Sequence, residues 1–256
     1  MRIVMCMALL LLMGCKENQK DVVATNKQEV PEVMTVGFDH VSNVSEQIFI
    51  DGVPSEAAWA SAEWRPMDQV WLGKNLQVED FMGKYKLLWD EKHLYILAEI
   101  HDDTLVDTHA DPLDRYWDDD CLEIFIDEDA SGGNHQYNHN AFAYHIGLDN
   151  TVVDIGTDEK PHVYPHAHCK RKMRGKRAHW EVALSIYDDS FVDGHNNKNT
   201  PLIKGKEMGF AIAYCDNDHS VEREHFIGSE VVEGTDKNRG WIDADIFGKI
   251  KLTSAE

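Results

Sequence analysis

The chain has 256 residues, 43% of them hydrophobic, with 46 acidic against 25 basic side chains and a formal net charge of −21. That charge excludes nucleic acid and an anionic membrane face as partners held by electrostatics, and leaves neutral ligands and cations open. The length suffices for a core that needs no disulfide staples.

Arg2 precedes an apolar run, Ile3 to Met13, much shorter than the roughly 20 residues of a membrane span. It ends Leu12-Met13-Gly14-Cys15 and reads as a secretory signal over residues 1–15. The Gly-Cys ending resembles a bacterial lipobox. It implies a lipidated Cys15 as the mature N-terminus and an outer-membrane lipoprotein of the cell envelope, membrane-bound through lipid alone and with the cell surface open to it. Residues 16–45 are polar and poor in aromatics and read as a tether, with Phe38 and Val41 at a soft boundary. Residues 46–256 then form one domain.

Glu46 to Asp51 reads as a strand broken at Asp51-Gly52, and Ser55 to Trp59 as a short helical turn. Lys84–Trp89 and His93–Ile100 read as strands across the turn Asp90-Glu91-Lys92, apolar on both faces as a central strand should be. Cys121–Asp127, Ala141–Leu148, Val152–Ile155, Ala178–Ile186, Met208–Asp216 and Lys249–Leu252 follow, with a polar loop over residues 188–206. Long helical periodicity is absent. The fold class is all-β: a β-sandwich of jelly-roll or immunoglobulin-like type, about ten strands with short helical turns.

The segment Arg115 to Asp127 carries the strongest chemical signal. Leu122, Ile124 and Ile126 point one way from its strand; Cys121, Glu123, Phe125 and Asp127 point the other. A glutamate beside a tryptophan suits a sugar, whose C–H face stacks on the ring while its hydroxyls donate to the carboxylate. Asp118, Asp119 and Asp120 next to Trp117 argue against a buried indole, since three adjacent carboxylates are not expected to be dry. Trp59, Trp89 and Trp180 alternate with apolar residues and read as core.

Four blocks occur in order: Ile50-Asp51-Gly52 with Ala58-Trp59; Leu88 through Tyr95; Trp117 through Asp127; and Met208-Gly209-Phe210. Trp241 through Leu252 closes the set. Together they resemble the carbohydrate-binding module family 9 domain, found on bacterial xylanases and in lipoproteins. The resemblance implies a sandwich that grips an oligo- or polysaccharide between two tryptophans, here Trp117 and Trp241, commonly with calcium bound. It implies further polar contacts from Glu123 and Asn238. The family's arginine and glutamine have no match, Ala143 and Ala213 standing in their places. His139 and His145, an even six apart and so able to share a strand face, are candidate replacements, with Asp216 or Glu224 completing a polar pocket and Asp120 a further candidate contact.

Asp127, Asp129 and Ser131 before Gly132 resemble the first half of a calcium loop. Asp102-Asp103 and Asp216-Asn217-Asp218 are further oxygen-rich sites. His162, His166, His168 and Cys169 read as an extended solvated loop rather than a metal site. Cys121 and Cys215 form either a bridge or two buried thiols. No nucleophile elbow, phosphate loop or zinc-hydrolase motif appears. A non-catalytic binder is therefore the main expectation. The alternatives are an endoxylanase-like hydrolase pairing Glu123 with Asp120 or Asp216, and a haem-binding sandwich with Met208 and His145 as axial ligands.

Overall fold

The computed structural model describes residues 37–74 and 76–255. The expected signal, Cys15 and most of the tether lie outside them. Among the described residues no helix is long and apolar enough to cross a membrane.

Fourteen strands form one continuous hydrogen-bonded sheet. In chain order they are β1 (Asp39–Asn43), β2 (Arg65–Met67), β3 (Gln69–Leu72), β4 (Phe81–Trp89), β5 (Leu94–Asp102), β6 (Cys121–Asp127), β7 (Phe142–Gly147), β8 (Val152–Ile155), β9 (Pro161–Val163), β10 (Ala167–Arg174), β11 (Arg177–Leu184), β12 (Glu207–Asp216), β13 (His225–Gly228) and β14 (Gly248–Thr253). The path runs β10-β11-β5-β4-β1-β14-β12-β6-β7-β8-β9, with β2 on β4 and β13 joining β12 to β3. Its two arms curl into facing layers. Between them lie Tyr85, Leu87, Ile96 and Trp180 from one arm, and Leu122, Ile124, Tyr144 and Phe210 from the other. The strand alternation expected around Leu122 holds, and the all-β sandwich is the fold.

Asp39–Asn43, expected within the tether, is instead a strand between β4 and β14, parallel to both. Residues 46–51 are not a strand. Their alternation belongs to an irregular segment that buries Ile48 with Trp59 and Leu97 against the outer face of the first layer. Among the described residues the one α-helix, the short α1 (Ala57–Ser61), lies beside it. Trp59, Trp89 and Trp180 are core residues, as expected. The stretch with His162, His166 and His168 is not an extended loop: β9 and the start of β10 run through it. His166 is buried against Tyr144, Tyr164 and Tyr187.

A second apolar cluster covers the outer face of the other layer. It joins Phe125 and Ala143 to Ala211, Ala213, Phe226 and Phe247. The small residues across β7 and β12 leave a hollow there, bounded by the loops before β6 and β14.

Candidate functional site

That hollow is a cleft of about 340 Å³ lined by Tyr116, Trp117, Glu123, Tyr137, His145, Ile155, Arg223, Phe226, Asn238 and Trp241. The volume is that of a small-ligand site. A larger surface hollow of about 960 Å³ follows the covering segment of residues 43–51, and another of about 410 Å³ adjoins Met67; neither has opposed indoles.

The two tryptophans are each 38% exposed, the accessibility a stacking platform requires. Each is held by a pinned loop. Asp119 accepts from Thr108 N, His109 N and Thr108 Oγ1 at 2.8–3.0 Å, and Asp120 accepts from Val106 N at 2.6 Å and Asn217 N at 2.9 Å. The three carboxylates beside Trp117 are therefore all buried, against expectation, because backbone amides replace their water. Trp117 stays outside because this acidic run faces inward. On the other rim Arg239 pairs with Asp243 at 3.0 Å and donates to Glu233 O and Asp236 O, closing the loop that presents Asn238 and Trp241. Gly240 lies so close to Phe125 that a Cβ would meet its ring at 2.8 Å, so glycine is required next to Trp241. Tyr116 sits edge-on to Trp117, and Tyr137 edge-on to Trp241.

The floor is polar. Glu123 is 2% exposed, and His145, its register partner on β7, brings Nε2 to 3.1 Å from Glu123 Oε2. Burial disfavours charge on His145, but Glu123 outweighs it and holds the imidazole above its ordinary pKa. Arg223, from the β12–β13 turn, donates to Asn238 Oδ1 at 2.9 Å and lies over the Phe226 ring at 4.2 Å. The cleft thus gathers Trp117, Trp241, Glu123, Asn238 and His145 from the sequence reading and adds Tyr116, Tyr137 and Arg223. Arg223 brings a cation into the cleft, where the resemblance had implied an arginine at the position of Ala143. Its signal was a lone arginine between Glu222 and Glu224, indistinguishable in sequence from a solvated turn.

Three expected residues are elsewhere. His139 precedes β7 rather than lying on it; it stacks on Phe142 and bonds Asp193 at 2.9 Å, so the face it was expected to share with His145 does not exist. Asp120 and Asp216 share the parity of Leu122 and Tyr214, which face the core, and so lie on the side of their strands opposite Glu123. The proposed carboxylate pairs for hydrolysis are thereby separated by the sheet. Met208 is likewise a core-facing residue and His145 an outward one, so they cannot ligate one haem.

The loop expected to hold calcium spends its carboxylates on its own backbone. Asp127 accepts from Gly132 N at 2.7 Å and Asp129 N at 3.3 Å, and Asp129 accepts from Ser131 N at 3.0 Å. A hard cation is better fitted by Asp102, Asp120 and Asp216, whose carboxylate oxygens lie within 4.8 Å of one another. Asp80 and Asp218 adjoin them, and Asp216 Oδ1, Asp80 Oδ1 and Asp218 Oδ1 are buried without a hydrogen-bond partner. Burial, reinforced by mutual repulsion, pushes Asp102 up to about 6, Asp216 to about 7 and Asp120 to about 9, although His225 Nδ1, 3.0 Å from Asp216 Oδ2, opposes the shift at Asp216.

Residues 50–255 match the family model described as "Carbohydrate family 9 binding domain-like". Over 179 residues the chain is 44% identical to endo-1,4-beta-xylanase A of Thermotoga maritima, covering 66% of this chain and 14% of the xylanase. Two solved structures of a carbohydrate binding module family 9 from Caldicellulosiruptor kristjanssonii share the fold. The complex with cellotriose superposes with a TM-score of 0.65 at 22% identity, covering 86% of this chain and 95% of the module. The complex with glucose gives 0.65 at 23% identity, covering 86% and 97%.

Proposed function

The chain belongs to the carbohydrate family 9 binding domain-like family, and from that premise we propose that it binds an oligo- or polysaccharide at the cell envelope without turning it over, one sugar ring lying between Trp117 and Trp241. The observation that carries this reading is the meeting of two half-exposed indoles, far apart in the chain, on one cleft with a polar floor. Pyranose C–H faces stack on the rings. Glu123 accepts from hydroxyls, while Arg223 and Asn238 donate to ring and hydroxyl oxygens. The ligands named for the neighbouring structures, cellotriose and glucose, support β-linked glucose- and xylose-type chains as the first class to test. A hydrolase reading loses support because Asp120 and Asp216 lie across the sheet from Glu123.

Titration calorimetry against cellotriose, xylotriose and galactose-based controls tests the reading, together with an assay for new reducing ends. Binding of the first two with no reducing ends released is the expected result. Failure to bind any of the panel, or release of sugar that disappears in Glu123→Gln, overturns it.

Calcium in this reading is held by Asp102, Asp120 and Asp216, and it stabilises the fold by binding only the folded form. Chelation lowers Tm, and calcium restores it better than magnesium because a multi-oxygen site suits the larger ion. Coincident melting curves with and without chelator refute the site. The attachment point in the same reading is lipidated Cys15. Metabolic labelling with a lipid precursor, abolished in Cys15→Ser, is its test.

A further inference from the structure

Beneath the polar floor lie two thiols that sugar binding does not require, next to His145 and Glu123 of the floor itself. Cys121 and Cys215 are register partners on β6 and β12, 1% and 0% exposed, and both are free thiols. His145 stands on the opposite flank of β6. The ligating atoms of Cys121, Cys215 and His145 all lie within 4.8 Å of one another. In tetrahedral zinc, bonds of about 2.3 Å to sulfur and about 2.0 Å to nitrogen place ligand atoms roughly 3.5–3.8 Å apart. Side-chain adjustment of about 1 Å therefore closes the set.

The imidazole is oriented for it. Its Nδ1 is 3.2 Å from Ala143 O, which can only accept, so the proton belongs on Nδ1. Nε2 then presents a lone pair to Glu123 Oε2 at 3.1 Å. Two lone pairs at that distance require positive charge between them, either a second proton or a metal ion. Cys215 Sγ is 4.0 Å from the same Oε2. Two sulfurs, one imidazole nitrogen and one carboxylate oxygen thus surround a common point.

The charges also balance. Two thiolates neutralise a divalent ion, and Glu123 neutralises Arg223, so a dry site carries no net charge. Arg223 Nη1 donates to Cys215 Sγ at 2.9 Å while Asn238 fixes its other end, the outer donor a bound thiolate needs. Gly147 opposite Cys121 and Ala213 opposite Glu123 leave room beside the set.

We propose that Cys121, Cys215 and His145, with Glu123 as fourth donor, form a site for a zinc-class divalent ion beneath the cleft. The site shares Glu123 and Arg223 with the sugar reading, and its test reads thiolate-to-metal absorption without sugar, so that the two fail separately. The test uses the reduced full chain carrying Cys6→Ser, Cys15→Ser and Cys169→Ser, which leaves Cys121 and Cys215 as its thiols. It is titrated with Cd2+ and Co2+ in excess calcium, which fills oxygen-only sites. The expected result is sulfur-to-metal charge-transfer absorption saturating at one ion per chain, with tetrahedral cobalt bands, displaced by zinc. His145→Ala lowers the affinity at least tenfold. Absence of the absorption while a denatured sample still titrates two thiols overturns the proposal. So does a chain whose two thiols are recovered only as a disulfide, or absorption that survives replacement of both by serine.

Discussion

Glu181 and Glu123 invite direct comparison. Each sits mid-strand on the outer face of one sandwich layer, 0% and 2% exposed, among apolar neighbours. Glu181 is consumed by the fold. Its carboxylate accepts from Asp51 N at 3.2 Å, Gly52 N at 2.8 Å and Trp59 Nε1 at 3.2 Å. It fastens the covering segment and α1 over the first layer, and Lys86 donates to Trp59 O in the same patch. Glu123 has no covering segment. It meets movable side chains, His145 and Arg223, at the bottom of an open cleft. Identical residue types at similar burial thus serve opposite ends. What decides is whether backbone amides have already used the carboxylate's acceptor capacity.

The comparison can be broken most forcefully at Glu181. Glu181→Ala strands two buried donors and a third that is half-buried, and is expected to cost about 3 kcal/mol of stability. For a domain of this size that is a fall in Tm of about 10 °C, read by calorimetry or circular dichroism, with cellotriose affinity unchanged well below Tm. Equal loss of affinity and stability would mean that the first layer also shapes the site. On the other face, Trp117→Ala and Trp241→Ala should each weaken sugar binding by about 2 kcal/mol. They should change Tm little because both rings are partly exposed and lie outside the apolar clusters of the core; a normal affinity in both variants defeats the clamp. Glu123→Gln keeps the shape and removes the charge, and should cost about 1.5 kcal/mol of binding. If instead it unfolds the protein, Glu123 belongs with Glu181 as a structural staple.

The smallest effect sharpens the contrast through pH. Burial holds Glu181 above its ordinary carboxylate pKa, although the amides of Asp51 and Gly52 oppose the shift. An acid with a raised folded pKa keeps its proton longer than the unfolded chain does. Its contribution to stability is therefore fullest below the unfolded value, about 4.3, and declines as pH rises through the folded value. Glu181→Gln removes that dependence. Melting profiles of the wild type and this variant should converge, or cross in favour of the variant, as pH is raised from 4 towards 7. A constant separation would show that the carboxylate ionises alike in both states.

Much of the frame was legible in the sequence. Strands β4 to β8, β11, β12 and β14 announce themselves by apolar runs or alternation, because they are central and bury one face or both. β10 did not, since Lys170, Arg171, Lys172 and Arg174 leave no apolar alternation; charged side chains are how an edge strand avoids pairing with another sheet. β2, β3, β9 and β13 are three or four residues long, too short for a period to show. Of the cleft, the family resemblance picked out Trp117, Glu123, Asn238 and Trp241, and strand parity added His145. Arg223, Tyr116 and Tyr137 were illegible, because their place depends on where three loops end rather than on any local pattern. His139 falls outside because β7 begins only at Phe142, and Asp120 and Asp216 because they share the parity of the core-facing Leu122 and Tyr214. Residue type and spacing state what a side chain is able to do, and strand parity states which face it takes. Only the closed sandwich determines which faces meet, which amides are left to satisfy a buried carboxylate, and so which glutamate remains free for a ligand.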